Sequence, residues 1–152
     1  MIIRILIFLV LNFAALGVGG FYSDGGAASE WYNELNRAPW TPPGWVFGAA
    51  WTIIMICFAI YMAFSWQSAP SQKRLTLLYS AQWVLNAAWS PVFFRYQLIN
   101  WALLVILALT GLIAYFLFAQ LSKLKGKTVF ILPYFLWLLI AVSLNAYISI
   151  AN

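Results

Sequence analysis

The stretch LTLLYSAQWVLNAAWSPVFF, which runs from Leu75 to Phe94, decides the fold because none of its twenty side chains is charged. A helix of about 20 predominantly apolar residues is long enough to cross the hydrocarbon core of a bilayer. The other charge-free runs are residues 5–20, 38–72, 96–122 and 128–152. Each has room for one spanning helix, so the sequence predicts a membrane protein with five transmembrane helices.

The overall composition agrees with this prediction. Hydrophobic residues make up 65% of the 152 residues and charged residues only 7%, whereas a soluble domain carries about 25% charged residues. We therefore predict one all-α bundle over residues 1–152, with membrane lipid as its surroundings. The five helices are predicted at residues 2–18, 46–66, 75–94, 98–121 and 129–150, with a long first loop at 21–44.

The basic side chains are divided unequally between the two ends of this predicted bundle. One end carries Arg4, Lys73, Arg74, Lys123, Lys125 and Lys127. Because cytoplasmic loops carry an excess of Lys and Arg, we expect the N-terminus to face the cytoplasm of a bacterial cell. The net charge of +5 follows this topology rather than forming one patch, so we expect no nucleic-acid partner.

The first loop, residues 21–44, is long for a connection in so compact a protein. It holds all three acids of the chain and a short predicted helix, in which Trp31 and Leu35 share a face at i,i+4 spacing. A long connection is either a functional lid or a disordered linker. The aromatic content of this loop favours the lid.

Three of the predicted helices carry a stripe of aromatic, sulfur-containing or amide side chains at helical spacing, with one alanine in the last stripe. The stripes are Trp51, Met55, Phe58 and Met62; Gln82, Asn86, Trp89 and Phe93; and Tyr134, Trp137, Ala141 and Asn145. Polar groups inside a bilayer are costly unless they are paired, which makes Asn86 and Asn145 candidates for function. Converging stripes would enclose a pocket with flat apolar walls and a few hydrogen-bonding groups, as in small-molecule sites.

The same residues also have a structural interpretation. Gln82 and Asn86 would then form hydrogen bonds between helices. The tryptophans that this interpretation assigns to the aromatic belts at the membrane interfaces are Trp40, Trp66 and Trp101. From the pattern alone, structure stands slightly ahead of function for Trp51, Asn86 and Trp137.

Several kinds of chemistry are excluded by what the chain lacks. It contains no histidine, which excludes histidine-held haem, zinc triads and Ser/His/Asp catalysis. Its three carboxylates all lie in the first loop, which argues against proton transport through buried acids. We therefore predict no metal site and no required cofactor.

Motifs in three parts of the chain resemble those of one known family. The first is Trp31-Tyr32, Leu35, Ala38-Pro39-Trp40-Thr41-Pro42-Pro43, Gly48 and Trp51-Thr52. The others are Gln82, Leu85-Asn86, Trp89-Ser90 and Phe93-Phe94, and then Pro133-Tyr134, Trp137, Ala141 and Leu144-Asn145. In this order and combination they resemble the translocator protein family, also called tryptophan-rich sensory proteins or the TspO/peripheral benzodiazepine receptor family.

The resemblance implies a five-helix membrane protein, commonly a homodimer, that binds protoporphyrin IX and related flat apolar molecules beneath the first loop. It moves function ahead of structure for Trp51, Asn86 and Trp137, and it places Trp31 and Tyr32 in the lid. The full set of predicted ligand-binding residues is Trp31, Tyr32, Trp51, Asn86, Trp89, Phe93, Trp137, Ala141 and Asn145.

Three functional hypotheses remain open at this point. The first is a receptor or transporter that binds porphyrin, with metal-free porphyrin preferred over haem because no histidine is present to ligate iron. The second is an enzyme that breaks porphyrin down in light, with Trp51 and Trp137 as catalytic residues, since the resemblance links the matching tryptophans of some bacterial members to that activity. The third is a structural membrane protein whose aromatic residues serve only packing.

Overall fold

The computed structural model describes residues 1–152 and contains no β-strand. Five long helices form a bundle, and a short sixth helix lies in the first loop. In chain order the helices are α1 (Ile2–Phe21), α2 (Glu30–Glu34), α3 (Gly44–Ser68), α4 (Gln72–Ser90), α5 (Ile99–Leu124) and α6 (Leu132–Ala151). The predicted all-α class is confirmed.

By length and composition, three stretches are apolar enough to cross a membrane, namely Ile2–Ala28, Gly44–Ser68 and Ile99–Ala151. The last has 53 residues because it contains both α5 and α6, which are antiparallel. α4 falls short because its first turn and its interior carry basic and amide side chains. Length and composition therefore identify three candidate membrane-spanning stretches rather than the predicted five, although the bundle has five long helices. The chain is an all-α integral membrane protein.

Two helices begin three residues away from their predicted starts, for local reasons. α4 starts before residue 75 because Ser71 Oγ accepts the backbone N–H of Arg74 at 3.3 Å, which caps the first turn. α6 starts after residue 129 because a 3-10 segment, Lys125–Ile131, precedes it. Charged residues near Ser71 therefore belong to the α4 helix rather than to the loop before it.

The core of the bundle is centred on α3. Phe58 is fully buried and packs against the rings of Tyr79, Phe116 and Tyr134, which belong to α4, α5 and α6. Met55, on the same stripe, is also fully buried. This part of the predicted α3 stripe therefore fills the core instead of lining a pocket.

α1 is joined to this core by one buried amide. Asn12 Nδ2 donates to the Met55 carbonyl at 3.0 Å, and Asn12 Oδ1 accepts from the Tyr79 hydroxyl at 2.7 Å. Further along α1, a Cβ added to Gly19 would lie 3.2 Å from the Ala87 carbonyl oxygen. Close helix contact at a small residue of this kind is typical of membrane bundles.

Candidate ligand-binding site

A cavity of about 340 Å³ lies between α1, α3 and α4, under the start of the first loop. α1 contributes the small residues Ala15, Gly19 and Gly20, which leave room that larger side chains would occupy. Gly26 and Ala27 of the first loop lie over the same space. A volume near 300 Å³ is at the lower end of the range for small-molecule pockets.

The α3 wall of the cavity consists of two aromatic side chains with a glycine between them. Phe47 and Trp51 lie one helical turn apart on this wall, and Gly48 lies between them. Gly48 is exposed, and a Cβ added to it would meet no atom within 4 Å. The cavity is therefore open to the surface at Gly48.

The α4 wall supplies a buried amide to the cavity, which the hydroxyl-bearing residues Thr52 and Ser90 also line. Asn86 is 8% exposed and lines the cavity beside Trp89. Its amide nitrogen, Nδ2, is buried and has no hydrogen-bond partner in the protein. An unpaired buried donor costs about 1–3 kcal/mol, and a ligand with an acceptor oxygen would remove that cost. This side chain gives the mostly apolar cavity a point of orientation.

A second, much smaller void of about 20 Å³ lies behind Trp89. Tyr32, Phe93, Ala141 and Asn145 line it, and Phe47, Trp89 and Phe94 border both spaces. A void of this size holds about one water molecule. These three aromatic side chains therefore form the partition between the two spaces.

The lid residues pack on the end of α4. Trp31 and Tyr32 of α2 both contact the Phe93 ring edge-on, with centroids 5.6 and 6.1 Å apart. Phe93 lies in a π-helical turn, Pro91–Arg95, that follows α4. Tyr32 is also covered by Arg37, whose guanidinium carbon is 5.3 Å from the ring centroid. α2 is therefore held against the bundle by aromatic contacts.

Burial dominates the electrostatics of Tyr32. Removal of its hydroxyl from water raises the pKa of the phenol above its ordinary value, and the nearby positive charge of Arg37 opposes this rise. The side chain is therefore neutral at pH 7 and acts as an apolar ring with a hydroxyl.

The second half of the first loop is fixed to α6. Asn36 N donates to Asn152 Oδ1 at 3.0 Å, and Asn152 Nδ2 donates to Asn36 O at 3.3 Å. Trp40 Nε1 donates to Ser143 Oγ at 3.1 Å.

The start of the first loop has a left-handed backbone, since Asp24, Gly25 and Gly26 have φ values of 52°, 87° and 56°. These left-handed residues turn the chain over the cavity.

The nine predicted ligand-binding residues do not all share one space. The structure places Trp51, Asn86 and Trp89 on the larger cavity, and the smaller void takes Tyr32, Phe93, Ala141 and Asn145 together with Trp89. Trp31 lines neither space and packs on Phe93. Trp137 also lines neither; it packs edge-on against Phe47 at 5.5 Å, and its buried Nε1 has no partner.

Asn145 is committed to the fold of the bundle. Its Oδ1 accepts from Trp89 Nε1 at 3.3 Å, and its Nδ2 donates to the Ile99 carbonyl at 3.2 Å. Both ends of the amide are therefore occupied by protein groups, unlike those of Asn86.

Several cavity residues were missed by the sequence interpretation. Phe47 borders both spaces, and its position four residues before Trp51 on the same helical face would have identified it. Gly19 and Gly20 also line the cavity. Nothing in the sequence marks Ala27, whose place over the cavity depends on the path of the loop.

Comparisons with known proteins give one result. The family model described as the TspO/MBR family matches residues 7–151. The tryptophan-rich sensory protein of Cereibacter sphaeroides is 35% identical over 76% of this chain and 73% of its own length. The tryptophan-rich protein TspO of Archaeoglobus fulgidus is 28% identical over 94% of each chain. The human translocator protein is 31% identical over 79% of this chain and 73% of its own.

Proposed function

The chain belongs to the TspO/MBR family, and we propose on that basis that it is a membrane receptor or transporter that binds a porphyrin such as protoporphyrin IX in the cavity under the first loop. The observation that carries the proposal is the unpaired Asn86 Nδ2 in a cavity whose walls are mostly apolar and include Phe47, Trp51 and Trp89. A porphyrin offers a flat apolar ring for Trp51 and Trp89 and carboxylate oxygens for the amide. Sensing and transport are the activities that the names of the relatives suggest.

A whole tetrapyrrole needs more room than the larger cavity provides alone. Turning Phe47 and Trp89 aside would add the neighbouring void, and the opening at Gly48 would let part of the ring remain outside. We therefore expect binding to move these two aromatic side chains.

The decisive experiment is a titration of the purified protein with metal-free protoporphyrin IX and with haem. Quenching of tryptophan fluorescence measures the binding of each. We expect saturable binding of the metal-free ring with tighter affinity than haem. Equal or tighter affinity for haem would contradict the expected preference, and the lack of saturable binding to either would contradict the proposed function.

Light-dependent breakdown of porphyrin is the alternative function, and the position of Trp51 on the cavity wall favours it. Trp137 does not line this cavity and packs against Phe47, which does, so Trp51 is the better placed electron donor. Illumination of the complex in air, with absorbance followed over time, tests the alternative. Loss of porphyrin at the rate seen without protein would leave no catalysis to explain.

A purely structural role is the third alternative. A ligand that binds the folded state raises its melting temperature. If neither porphyrin nor another flat apolar molecule raises the melting temperature in detergent, the structural role is favoured.

Orientation and assembly complete the proposal. The end of the bundle that carries Arg4, Lys73 and Lys125 would face the cytoplasm of a bacterial cell, which places the first loop and the cavity toward the outer face.

We further propose a homodimer, as the family resemblance implies. Light scattering of the detergent-purified protein, corrected for bound detergent, measures its mass and distinguishes a dimer from a monomer.

A further inference from the structure

A separate crevice of about 240 Å³ lies between α4 and α5, at the end of the bundle opposite the first loop. Ser71, Arg74 and Leu78 line it on the α4 side, and Tyr115, Gln120 and Lys123 line it on the α5 side. None of these residues lines the cavity under the first loop. The crevice is therefore distinct from the proposed porphyrin site.

Two cations stand at the crevice without a protein counter-ion. Arg74 and Lys123 are both exposed, and the three acids of the chain, Asp24, Glu30 and Glu34, all lie in or beside the first loop at the other end. The Arg74 Nη2 donates to the Tyr115 hydroxyl at 2.7 Å, and its guanidinium carbon is 5.7 Å from the Tyr115 ring centroid. Tyr115 thus holds one of the two charges in place at the crevice.

Gln120 lines the same crevice and carries a buried acceptor. Gln120 is 9% exposed, and its Oε1 is buried without a hydrogen-bond partner. An unpaired buried carbonyl oxygen is costly and is satisfied by a donor on water or on a ligand. An occupant with a hydroxyl group would supply that donor. The same occupant should carry a negative charge, because Arg74 and Lys123 are both positive.

The remaining walls are apolar. Leu75, Leu78 and Phe116 line the crevice, and α4 and α5 continue from it into the membrane-spanning part of the bundle. A small soluble anion would use the cations but not these walls. An amphipathic anion would use both, because an acyl chain gains by leaving water along an apolar surface.

We propose that this crevice binds an anionic glycerophospholipid with a hydroxylated headgroup. Its phosphate lies between Arg74 and Lys123, a headgroup hydroxyl donates to Gln120 Oε1, and an acyl chain runs along Leu75 and Leu78. The positive end of α4, which begins at Gln72, adds to the attraction for the phosphate. The site is independent of porphyrin binding.

The test uses the full chain in detergent, with lipid binding measured by native mass spectrometry. The probes are dioleoylphosphatidylglycerol, dioleoylphosphatidic acid, dioleoylphosphatidylcholine and glycerol 1-phosphate. We expect phosphatidylglycerol to bind most tightly. Binding of phosphatidylcholine as tight as that of phosphatidylglycerol would overturn the charge requirement, and equal binding of glycerol 1-phosphate would replace the lipid site with a site for soluble anions.

Matched variants separate a defined site from general attraction to the basic end. Each basic residue near an anionic lipid contributes a factor of about five in affinity, so the double variant R74Q/K123Q should lose about thirtyfold in phosphatidylglycerol affinity. The control double variant K73Q/K125Q removes two charges at the same end, from exposed residues that do not line the crevice. An equal loss in the control would overturn the proposal.

The hydroxyl contact has its own test. Gln120→Leu removes an unpaired buried acceptor and keeps the charges, so the variant should fold with an equal or higher melting temperature. We expect the ratio of phosphatidylglycerol affinity to phosphatidic acid affinity to be lower in the variant than in the wild-type protein. If the ratio is the same in both proteins, the hydrogen bond to Gln120 is wrong.

Discussion

Trp89 and Asn145 are joined across the bundle by a hydrogen bond from the indole nitrogen to Asn145 Oδ1, 3.3 Å long. The bond links α4 to α6, and the second bond of Asn145, to the Ile99 carbonyl, links α6 to α5. Asn86, three residues before Trp89, has a buried amide nitrogen with no partner. The two asparagines therefore have different roles. Asn145 joins helices of the bundle, and Asn86 presents an unpaired amide at the cavity.

The first prediction concerns Asn145→Leu. The substitution removes two hydrogen bonds and leaves Trp89 Nε1 and the Ile99 carbonyl without these partners. Hydrogen bonds between membrane helices average about 0.6 kcal/mol and reach about 1.7 kcal/mol, so we expect a loss of about 1–2 kcal/mol in the free energy of unfolding. Unfolding with sodium dodecyl sulfate in mixed micelles measures it. A loss below the measurement error would show that the two bonds do not stabilise the bundle.

The second prediction concerns the same change at Asn86. Asn86→Leu removes an unpaired donor, so the free energy of unfolding should stay equal or rise, while porphyrin affinity falls about tenfold because the bond to the ligand is lost. Fluorescence titration and unfolding of the two leucine variants give a matched comparison. Unchanged porphyrin affinity in Asn86→Leu would show that the cavity between α1, α3 and α4 is not the binding site.

The difference between these two asparagines marks the limit of what the sequence predicted. Helical spacing correctly placed Asn86 and Trp89 on one face of α4, because spacing alone determines which residues share a face. Whether an amide on that face meets a partner depends on the rotation and height of the neighbouring helices. Tertiary packing sets both quantities, so the sequence could not tell that Asn145 would be paired and Asn86 left free.

The bundle itself was predictable for a simpler reason. Charged side chains are confined to the helix ends and loops, so the charge-free runs mark the spans almost directly. The 3-10 segment Lys125–Ile131 and the π-turn Pro91–Arg95 were not foreseen in these forms, since both depend on how the chain closes against neighbouring helices. Phe93 lies in the π-turn and contacts Trp31 and Tyr32 of the first loop.

The third prediction concerns the open space beside Gly48. Gly48→Ala should raise the free energy of unfolding by about 0.5–1 kcal/mol, because alanine favours helix and its Cβ meets no atom within 4 Å. Gly48→Phe should remain folded but weaken porphyrin binding, because its ring covers the opening of the cavity. Thermal melting and fluorescence titration measure the two effects.

Gly111 provides the control for the large substitution. It lies in α5, away from the cavity, and a Cβ added there also meets no atom within 4 Å. Gly111→Phe should therefore leave porphyrin affinity unchanged. A loss of affinity as large as that of Gly48→Phe would mean that bulk on the bundle surface, rather than closure of the cavity, causes the effect.

The fourth prediction concerns a buried pair below the cavity. Gln82 Nε2 donates to the Tyr134 hydroxyl at 2.8 Å, while Gln82 Oε1 has no partner. Tyr134→Phe should cost about 1–2 kcal/mol in the free energy of unfolding, because the whole Gln82 amide is then unpaired. Adding Gln82→Leu should restore part of the loss. Additive losses in the double variant would show that the two side chains are not coupled.

The last prediction concerns the lid and its response to pH. Burial raises the pKa of Tyr32 above its ordinary value of 10.0, and Arg37 limits the rise. A group whose pKa is higher in the folded state stabilises that state fully at pH values below the unfolded pKa, and the contribution is lost as the pH rises through the folded pKa. The contact of Tyr32 with Phe93 and Phe94 should therefore persist from pH 6 to 9 and weaken only above about pH 10. The phenolate absorbance of wild type minus Tyr32→Phe isolates this titration from those of the other tyrosines, and a difference signal that appears below pH 10 would contradict the burial of Tyr32 against α4.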